Sequence, residues 1–371
     1  MTSQRRLLLA AQPWDGGVAR HVVALAEALP PARFALDVAC PRGSLTWTSL
    51  EGRPGIELHA IGAHRRPHPG DTRSWLTLQQ LVGRADVVHV HSSKAGFVGR
   101  LASVSRGKSQ ACMFTPHGWS FWAAEGLEAR FYARLERMAA HWCRTIVALS
   151  ADERDAGLAE KVGRPEQYRV IPNGIALERF ALSRAPERGR IVMVGRLAEQ
   201  KRPDVALQAF ASARRRRPEL ELDIVGDGPL RPEAERLAAG LGVDGAVRFL
   251  GVRDDVPELL ARAECMLLAS DYEGSPLAVA EAMAAGLAVV ATDTAGTNEL
   301  VRPGRTGKLV PCGDSEGLAA ALVEVLADPE LAARLGAEGR RLAQAELSLE
   351  GMVERLVALY DEIAGIPRTR E

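Results

Sequence analysis

Residues 264–292 fall into three pieces: the apolar run Glu264-Cys265-Met266-Leu267-Leu268-Ala269, the segment Asp271-Tyr272-Glu273-Gly274-Ser275-Pro276-Leu277-Ala278-Val279-Ala280-Glu281-Ala282, and a second apolar run, Leu287-Ala288-Val289-Val290-Ala291-Thr292. Each run is continuously apolar rather than alternating, as in a strand covered on both faces of a parallel sheet. The alanine-rich stretch Pro276–Ala285 between them reads as a helix, so the whole is a parallel β-α-β unit. Ser275 is expected as the N-cap and Pro276 as the first helical residue. The amides of Ser275–Ala278 would then be free donors at the positive end of the helix. Glu273 precedes that helix and Glu281 lies one to two turns into it, so both carboxylates can face one bound molecule at different points. An acidic side chain among alanines needs a partner, and ribose hydroxyls would serve; the alternative is a pair of solvated glutamates.

The same habit extends in both directions. Short apolar runs at Arg6–Ala11, Phe34–Ala39, Ile56–Ile61, Asp86–Val90, Ala111–Phe114, Thr145–Leu149 and Tyr168–Ile171 alternate with amphipathic stretches. A second series has strands at Arg190–Val194, Leu220–Val225, Val247–Leu250, Glu264–Ala269 and Leu287–Thr292, again separated by helices. The polar segment Ala181–Gly189 divides the two. We therefore expect an α/β protein with two Rossmann-like domains, residues 1–183 and 184–347, and a final helix within 348–371 carrying Met352, Leu356, Tyr360 and Ile363 on one face. Ligands of open parallel sheets bind beyond the carboxyl ends of the strands. Two such domains facing each other would bind theirs in the intervening cleft.

Composition narrows the function. The chain has 371 residues with 47% hydrophobic and 25% charged, which fits a globular protein and excludes a disordered or fibrous one. Lys+Arg and Asp+Glu both number 47, which argues against a general nucleic-acid binder. The balance is uneven, however: +7 over residues 1–183 and −7 over the rest. The five cysteines are scattered with no C-x-x-C, against a zinc site or a disulfide framework and for a reducing compartment. Arg5-Arg6 precedes too short an apolar run for a signal peptide, and no apolar run reaches the ~18 residues of a membrane span. A cytoplasmic location is expected.

Three further motifs sit just after strands. Asp15-Gly16-Gly17 opens a helix, so Gly16 and Gly17 either let the backbone approach an anionic ligand or simply make a tight turn. It is not G-x-G-x-x-G, so no dinucleotide cofactor is indicated. Thr115-Pro116-His117-Gly118 places a histidine at a strand end, where imidazole can bond a sugar hydroxyl or move a proton, or else bond backbone. Gly195-Arg196-Leu197 with Lys201 offers a guanidinium fork and an ammonium suited to a diphosphate. Surface exposure is the alternative there. No D-x-D occurs in the chain, so a metal-clamped diphosphate is not expected.

Taken in order, these pieces resemble the retaining nucleotide-sugar glycosyltransferases of the GT-B fold, glycosyltransferase family 4. The resemblance spans nearly the whole chain: the Gly16-Gly17 turn, Ser92–Gly96, Thr115–Gly118, Val170–Gly174, Gly195–Leu197 with Lys201, Val225–Pro229, and Glu273 and Glu281 with seven residues between them. It implies that Arg196 and Lys201 bind the donor diphosphate, helped by Gly16 and Gly17. Glu281 would bind ribose. Glu273, Gly274, Ser275, Pro276 and Leu277 would contact the transferred sugar, and Arg253 lies where the family contacts the base, through backbone more than side chain. His117 and Glu273 would be the catalytic pair facing the reacting sugar, with neither metal nor other cofactor required. UDP is expected from its frequency in the family.

All six tryptophans lie in the first half. Trp119, Phe121 and Trp122 follow His117-Gly118 and either meet an acceptor or fill the core. The stretch Ala63-His64-Arg65-Arg66-Pro67-His68 adds basic charge, and Glu128–Trp142 mixes Arg130, Arg134 and Arg137 with Phe131, Tyr132 and Trp142, as an interfacial or a core-facing helix would. The favoured acceptor is a sugar that is lipid-linked or otherwise phosphorylated, met at an anionic membrane surface during envelope or exopolysaccharide assembly. The alternatives are transfer to a small soluble acceptor in secondary metabolism and a non-catalytic nucleotide-sugar binding protein.

Overall fold

The computed structural model describes residues 4–64 and 68–365. Among these residues thirteen strands form two all-parallel sheets. The first has seven: β1 (Arg5–Ala11), β2 (Phe34–Cys40), β3 (Ile56–Ala60), β4 (Val87–His91), β5 (Cys112–Thr115), β6 (Thr145–Ala148) and β7 (Tyr168–Val170), in the order β3-β2-β1-β4-β5-β6-β7. The second has six: β8 (Arg190–Val194), β9 (Glu221–Val225), β10 (Val247–Gly251), β11 (Cys265–Leu268), β12 (Ala288–Thr292) and β13 (Gly307–Val310), ordered β10-β9-β8-β11-β12-β13. In each, the order reverses beside the first strand, between β1 and β4 and between β8 and β11. That is the switch point where loops splay apart and leave a ligand crevice.

The two-residue period of a strand explains the continuous apolar runs. Leu7, Leu9 and Ala11 feed one core cluster and Leu8 and Ala10 the cluster on the opposite face. In the second sheet Ile191 and Met193 face one core while Val192 and Val194 face the other, and Cys265 and Leu267 are likewise opposed to Met266 and Leu268. The final helix, Leu349–Ile363, packs on the first sheet's unit. Met352, Leu356 and Tyr360 join the core around β1 and β2, and Asp361 takes ion pairs from both Arg5 and Arg33.

One expectation needs correction, and one strand was not foreseen. The first unit runs to Gly174 and takes the chain back from Leu349, so the second is Ile175–Ser348, not 184–347. The reason lies in the linker: Ile175 and Phe180 are buried in the second unit's core, and the Ile175 amide donates to the Leu347 carbonyl at 2.9 Å. The strand not foreseen is β13, where Gly307 and Lys308 dilute the apolar signal of a four-residue edge strand. Of the basic stretch 63–68, Arg65, Arg66 and Pro67 lie outside the described residues. Among the described residues, no helix is long and apolar enough to cross a membrane.

Candidate active site

The second unit concentrates its polar chemistry at the carboxyl ends of β8 and β11. Beyond β8 the chain runs through Gly195-Arg196-Leu197 into a helical turn, Glu199–Lys201. This loop is locked from below. Leu197 donates its amide to the Asp227 carbonyl at 3.0 Å and accepts from the Leu230 amide at 3.0 Å. Gly226, with φ 131°, passes so close that a Cβ there would lie 2.0 Å from the Gly195 carbonyl oxygen. That close approach accounts for the first glycine of Val225-Gly226-Asp227-Gly228.

Beyond β11, the loop to Pro276 is bound to the β8 loop by three sets of contacts. Gln200 donates to the Tyr272 carbonyl at 2.8 Å, and the Asp271 amide donates to the Gln200 carbonyl at 2.9 Å. Arg202 bonds Asp271. At the centre, the Lys201 ammonium is ion-paired with Glu273 Oε1, which also accepts from the Ser270 hydroxyl at 2.7 Å. Glu273 is buried and Lys201 nearly so, with side chains 8% and 15% exposed. The sequence reading assigned these two residues to different parts of a donor, and the fold brings them into contact. Arg196 lies half-buried on the same loop.

The helix after this loop is Leu277–Ala284, and its N-cap is Pro276, not Ser275. Proline can cap because the N-cap needs only its carbonyl, which here accepts from the Val279 and Ala280 amides at 3.1 Å. Gly274 and Ser275 are buried behind it, and Glu281 is half-buried on the helix. Arg253 is exposed and closes a bidentate pair with its neighbour Asp255, at 2.7 and 2.6 Å. Its guanidinium is engaged locally.

In the first unit, Gly16 has φ 84° and caps the helix Gly17–Ala28, with open space where a Cβ would stand. The glycine there answers to backbone conformation. His117 also has positive φ, 58°. Its ring belongs to a buried group that sequence reasoning missed. His91 Nδ1 lies 3.0 Å from His117 Nε2, and His21 packs edge-on to His117 with ring centroids 4.8 Å apart. His21 Nδ1 bonds the Asn173 side chain at 2.9 Å, and His89 bonds Tyr360 and Thr115 at 2.9 and 2.8 Å. Burial, the leading cause, holds His89, His91 and His117 well below the ordinary histidine range and takes His21 down to about 4, partly offset by the Asn173 bond. All four are neutral at pH 7. The only advance signal was the His-x-His spacing of His89 and His91, two residues that share one face of β4.

Trp119 is corrected as an acceptor residue. It is 1% exposed, stacks on Phe121 and donates its indole N–H to the Glu153 carbonyl at 2.6 Å, so it is a core residue with its one donor satisfied. Trp122 remains half-buried beside Gly118.

Two family models meet at the same joint of this chain. The model of the family described as Glycosyl transferase 4-like domain matches residues 16–174, and that of Glycosyl transferases group 1 matches residues 175–342. The chain is 30% identical over 337 residues to the UDP-Gal:alpha-D-GlcNAc-diphosphoundecaprenol alpha-1,3-galactosyltransferase of Escherichia coli, covering 86% of this chain and 87% of that protein. It is 29% identical over 347 residues to the phosphatidyl-myo-inositol mannosyltransferase of Mycolicibacterium smegmatis, covering 86% and 83%. Anabaena HepE, solved in complex with UDP and glucose, superposes with a TM-score of 0.83 at 20% identity, covering 96% of this chain and 99% of that one. The fold is GT-B. The chain belongs to glycosyltransferase family 4, the group 1 glycosyl transferases, and is a glycosyltransferase.

Proposed function

We propose that this protein transfers a hexosyl or N-acetylhexosaminyl group from a UDP-linked sugar, with retained anomeric configuration and without a metal, to a hydroxyl of a lipid-linked sugar in envelope or exopolysaccharide assembly. The observation that carries the donor half is the Lys201–Glu273–Ser270 constellation at the second sheet's switch point. Breaking the anomeric C–O bond develops positive charge on the sugar and negative charge on the departing diphosphate. Lys201 and Arg196 supply cations for the second, with the amides at the start of the Leu277–Ala284 helix. In this reading the Glu273 carboxylate meets the sugar's hydroxyls and developing positive charge, and Glu281 takes the ribose. The reading assigns His117, in the first unit, to the reacting sugar. HepE's complex with UDP and glucose supports the nucleotide choice.

The acceptor half rests on the helix Gly126–Ala140. Its inner face buries Ala133, Glu136, Ala139 and Ala140, while Leu127, Phe131 and Met138 stand 82%, 57% and 44% exposed among the exposed Arg130 and Arg134. Exposed apolar side chains interleaved with arginine suit an anionic bilayer surface. The Escherichia coli relative, by its name, acts on a sugar carried on diphosphoundecaprenol. On this reading the protein works peripherally at the inner face of a membrane.

The test is calorimetry of UDP, GDP and ADP in the presence of chelator, with Arg196→Ala alongside, followed by transfer from UDP-sugars to a GlcNAc-diphospho-lipid. Selective UDP binding weakened by the variant, with transfer, supports the reading. Binding that needs metal overturns the donor half. Failure to pellet with anionic vesicles at low salt, or pelleting unchanged in Phe131→Glu, overturns the membrane half.

A further inference from the structure

We propose that His91 is a positioning residue that fixes the tautomer of His117, so that His117 presents Nδ1–H as a hydrogen-bond donor to the reacting sugar and does not act as a base. The inference rests on the reading above that His117 faces that sugar.

The two rings share one proton-sized contact, His91 Nδ1 to His117 Nε2 at 3.0 Å, and His91 is fully buried. A neutral imidazole carries one N–H and one lone pair. If His117 Nε2–H were the donor, His91 Nδ1 would be the acceptor and its proton would sit on Nε2. That Nε2 is buried without any partner. An orphaned buried N–H is rarer than an orphaned acceptor. The opposite assignment, His91 Nδ1–H donating to His117 Nε2, leaves only a bare lone pair at the orphaned atom.

The neighbouring His21 is arranged in the same way. Its Nδ1 faces the Asn173 amide oxygen, so Nδ1 is the donor, and its Nε2 is the other orphaned histidine nitrogen. Both orphans are then lone pairs. With Nε2 accepting from His91, His117 keeps its proton on Nδ1.

The backbone holds that ring in place. His117 sits at φ 58°, and the next amide, Gly118 N–H, donates to the buried Glu153 carboxylate. The other Glu153 oxygen accepts from the Leu149 amide at 2.6 Å, tying the loop to the end of β6. A non-glycine residue in the left-handed region persists only where its surroundings over-determine it.

The experiment uses the full chain labelled with 15N at histidine, with His117→Gln assigning the His117 signals. The wild type should show His117 protonated at Nδ1. His91→Phe should move that proton to Nε2 or mix the two forms, and should lower kcat about tenfold while the donor KM changes less than about threefold. His91→Asn, whose amide N–H stands where Nδ1–H was, should restore most of the turnover. UDP binding by calorimetry reports on the separate second unit, and thermal melting shows whether each variant folds. If His91→Phe does not fold, the wild-type tautomer decides alone. An Nε2–H tautomer in the wild type overturns the proposal. So does an unchanged kcat in folded His91→Phe, or Co2+ uptake abolished by His21→Gln, which would assign the lone pairs to a metal. A normal kcat in His117→Ala would remove His117 from the reaction and leave the tautomer measurement standing.

Discussion

Lys201 and Glu273, 72 residues apart, are ion-paired across the loops beyond β8 and β11, and the Ser270 hydroxyl bonds the same carboxylate oxygen. A donor diphosphate at Lys201 must therefore share its ammonium with a carboxylate. Glu273→Gln removes that competing charge, so UDP should bind at least as tightly while turnover falls about 100-fold or more. Lys201→Met leaves a buried carboxylate unpaired, and should both weaken UDP and destabilise the unit by about 1–3 kcal/mol. Calorimetry, initial rates and denaturant melts on the two variants check the asymmetry.

Gly226 and Gly16 are both motif glycines with positive φ, yet they answer to different demands. A Cβ on Gly226 would collide with the Gly195 carbonyl, whereas one on Gly16 meets nothing within 4 Å. Gly226→Ala should displace the Arg196–Lys201 loop, costing about tenfold or more in UDP affinity as well as stability. Gly16→Ala meets no steric clash and should cost chiefly the conformational term, about 1–2 kcal/mol, with a smaller loss of UDP affinity than Gly226→Ala. Equal effects of the two on UDP affinity would contradict this division.

The parts of the site that local pattern specifies were legible in the sequence. The continuous apolar runs mark the parallel strands, and Arg196, Lys201 and Glu273 could be put in the loops beyond strand ends because each follows such a run, while their roles came from the family resemblance. What sequence could not convey is pairing across long separations. Nothing in the residues near Lys201 indicates that its partner is Glu273, and nothing near His21 points to Asn173. Burial of polar groups is equally silent: His21 is one polar residue on an otherwise apolar helix face. Trp119 misled for the converse reason. An aromatic in a loop after a catalytic-looking histidine reads as exposed, but a carbonyl at Glu153 satisfies its only donor and lets the ring be buried.

The buried histidines make stability depend on pH. His21 has a folded pKa of about 4 against 6.5 unfolded, chiefly through burial. Between those values the unfolded chain binds the proton that the folded one refuses, so stability is full above pH 6.5 and falls as pH drops towards 4. Each pH unit costs up to about 1.4 kcal/mol for this group, and His89, His91 and His117 act in the same direction. Denaturant melts from pH 7.5 to 5 should show the decline, and His21→Gln should flatten its slope by about one histidine's share. A slope unchanged in that variant would show that His21 is not held neutral by the fold.

Arg100 is fully buried on the helix Ser93–Ser105, which follows β4 and so backs His91. Its guanidinium lies 3.7 Å from the Phe114 ring centroid, donates to the Gly96 carbonyl at 3.0 Å, and meets the Glu136 carboxylate at 2.6 Å. Glu136 belongs to the helix whose outer face carries Leu127 and Phe131, so this one pair clamps the proposed membrane-facing helix to the element behind the histidines. The energetics are asymmetric. Two charges taken out of water nearly cancel their attraction, but removing one leaves the other buried and unpaired. Glu136→Ala should therefore destabilise the protein by about 3–5 kcal/mol. Arg100→Met with Glu136→Leu, which removes both charges and keeps the volume, should recover most of that loss. Measured as a double-mutant cycle in denaturant melts, the two single losses should sum to well over the double. Additive losses would mean that each side chain contributes by packing alone, Arg100 through Phe114 and Glu136 through its own helix, with no clamp between them.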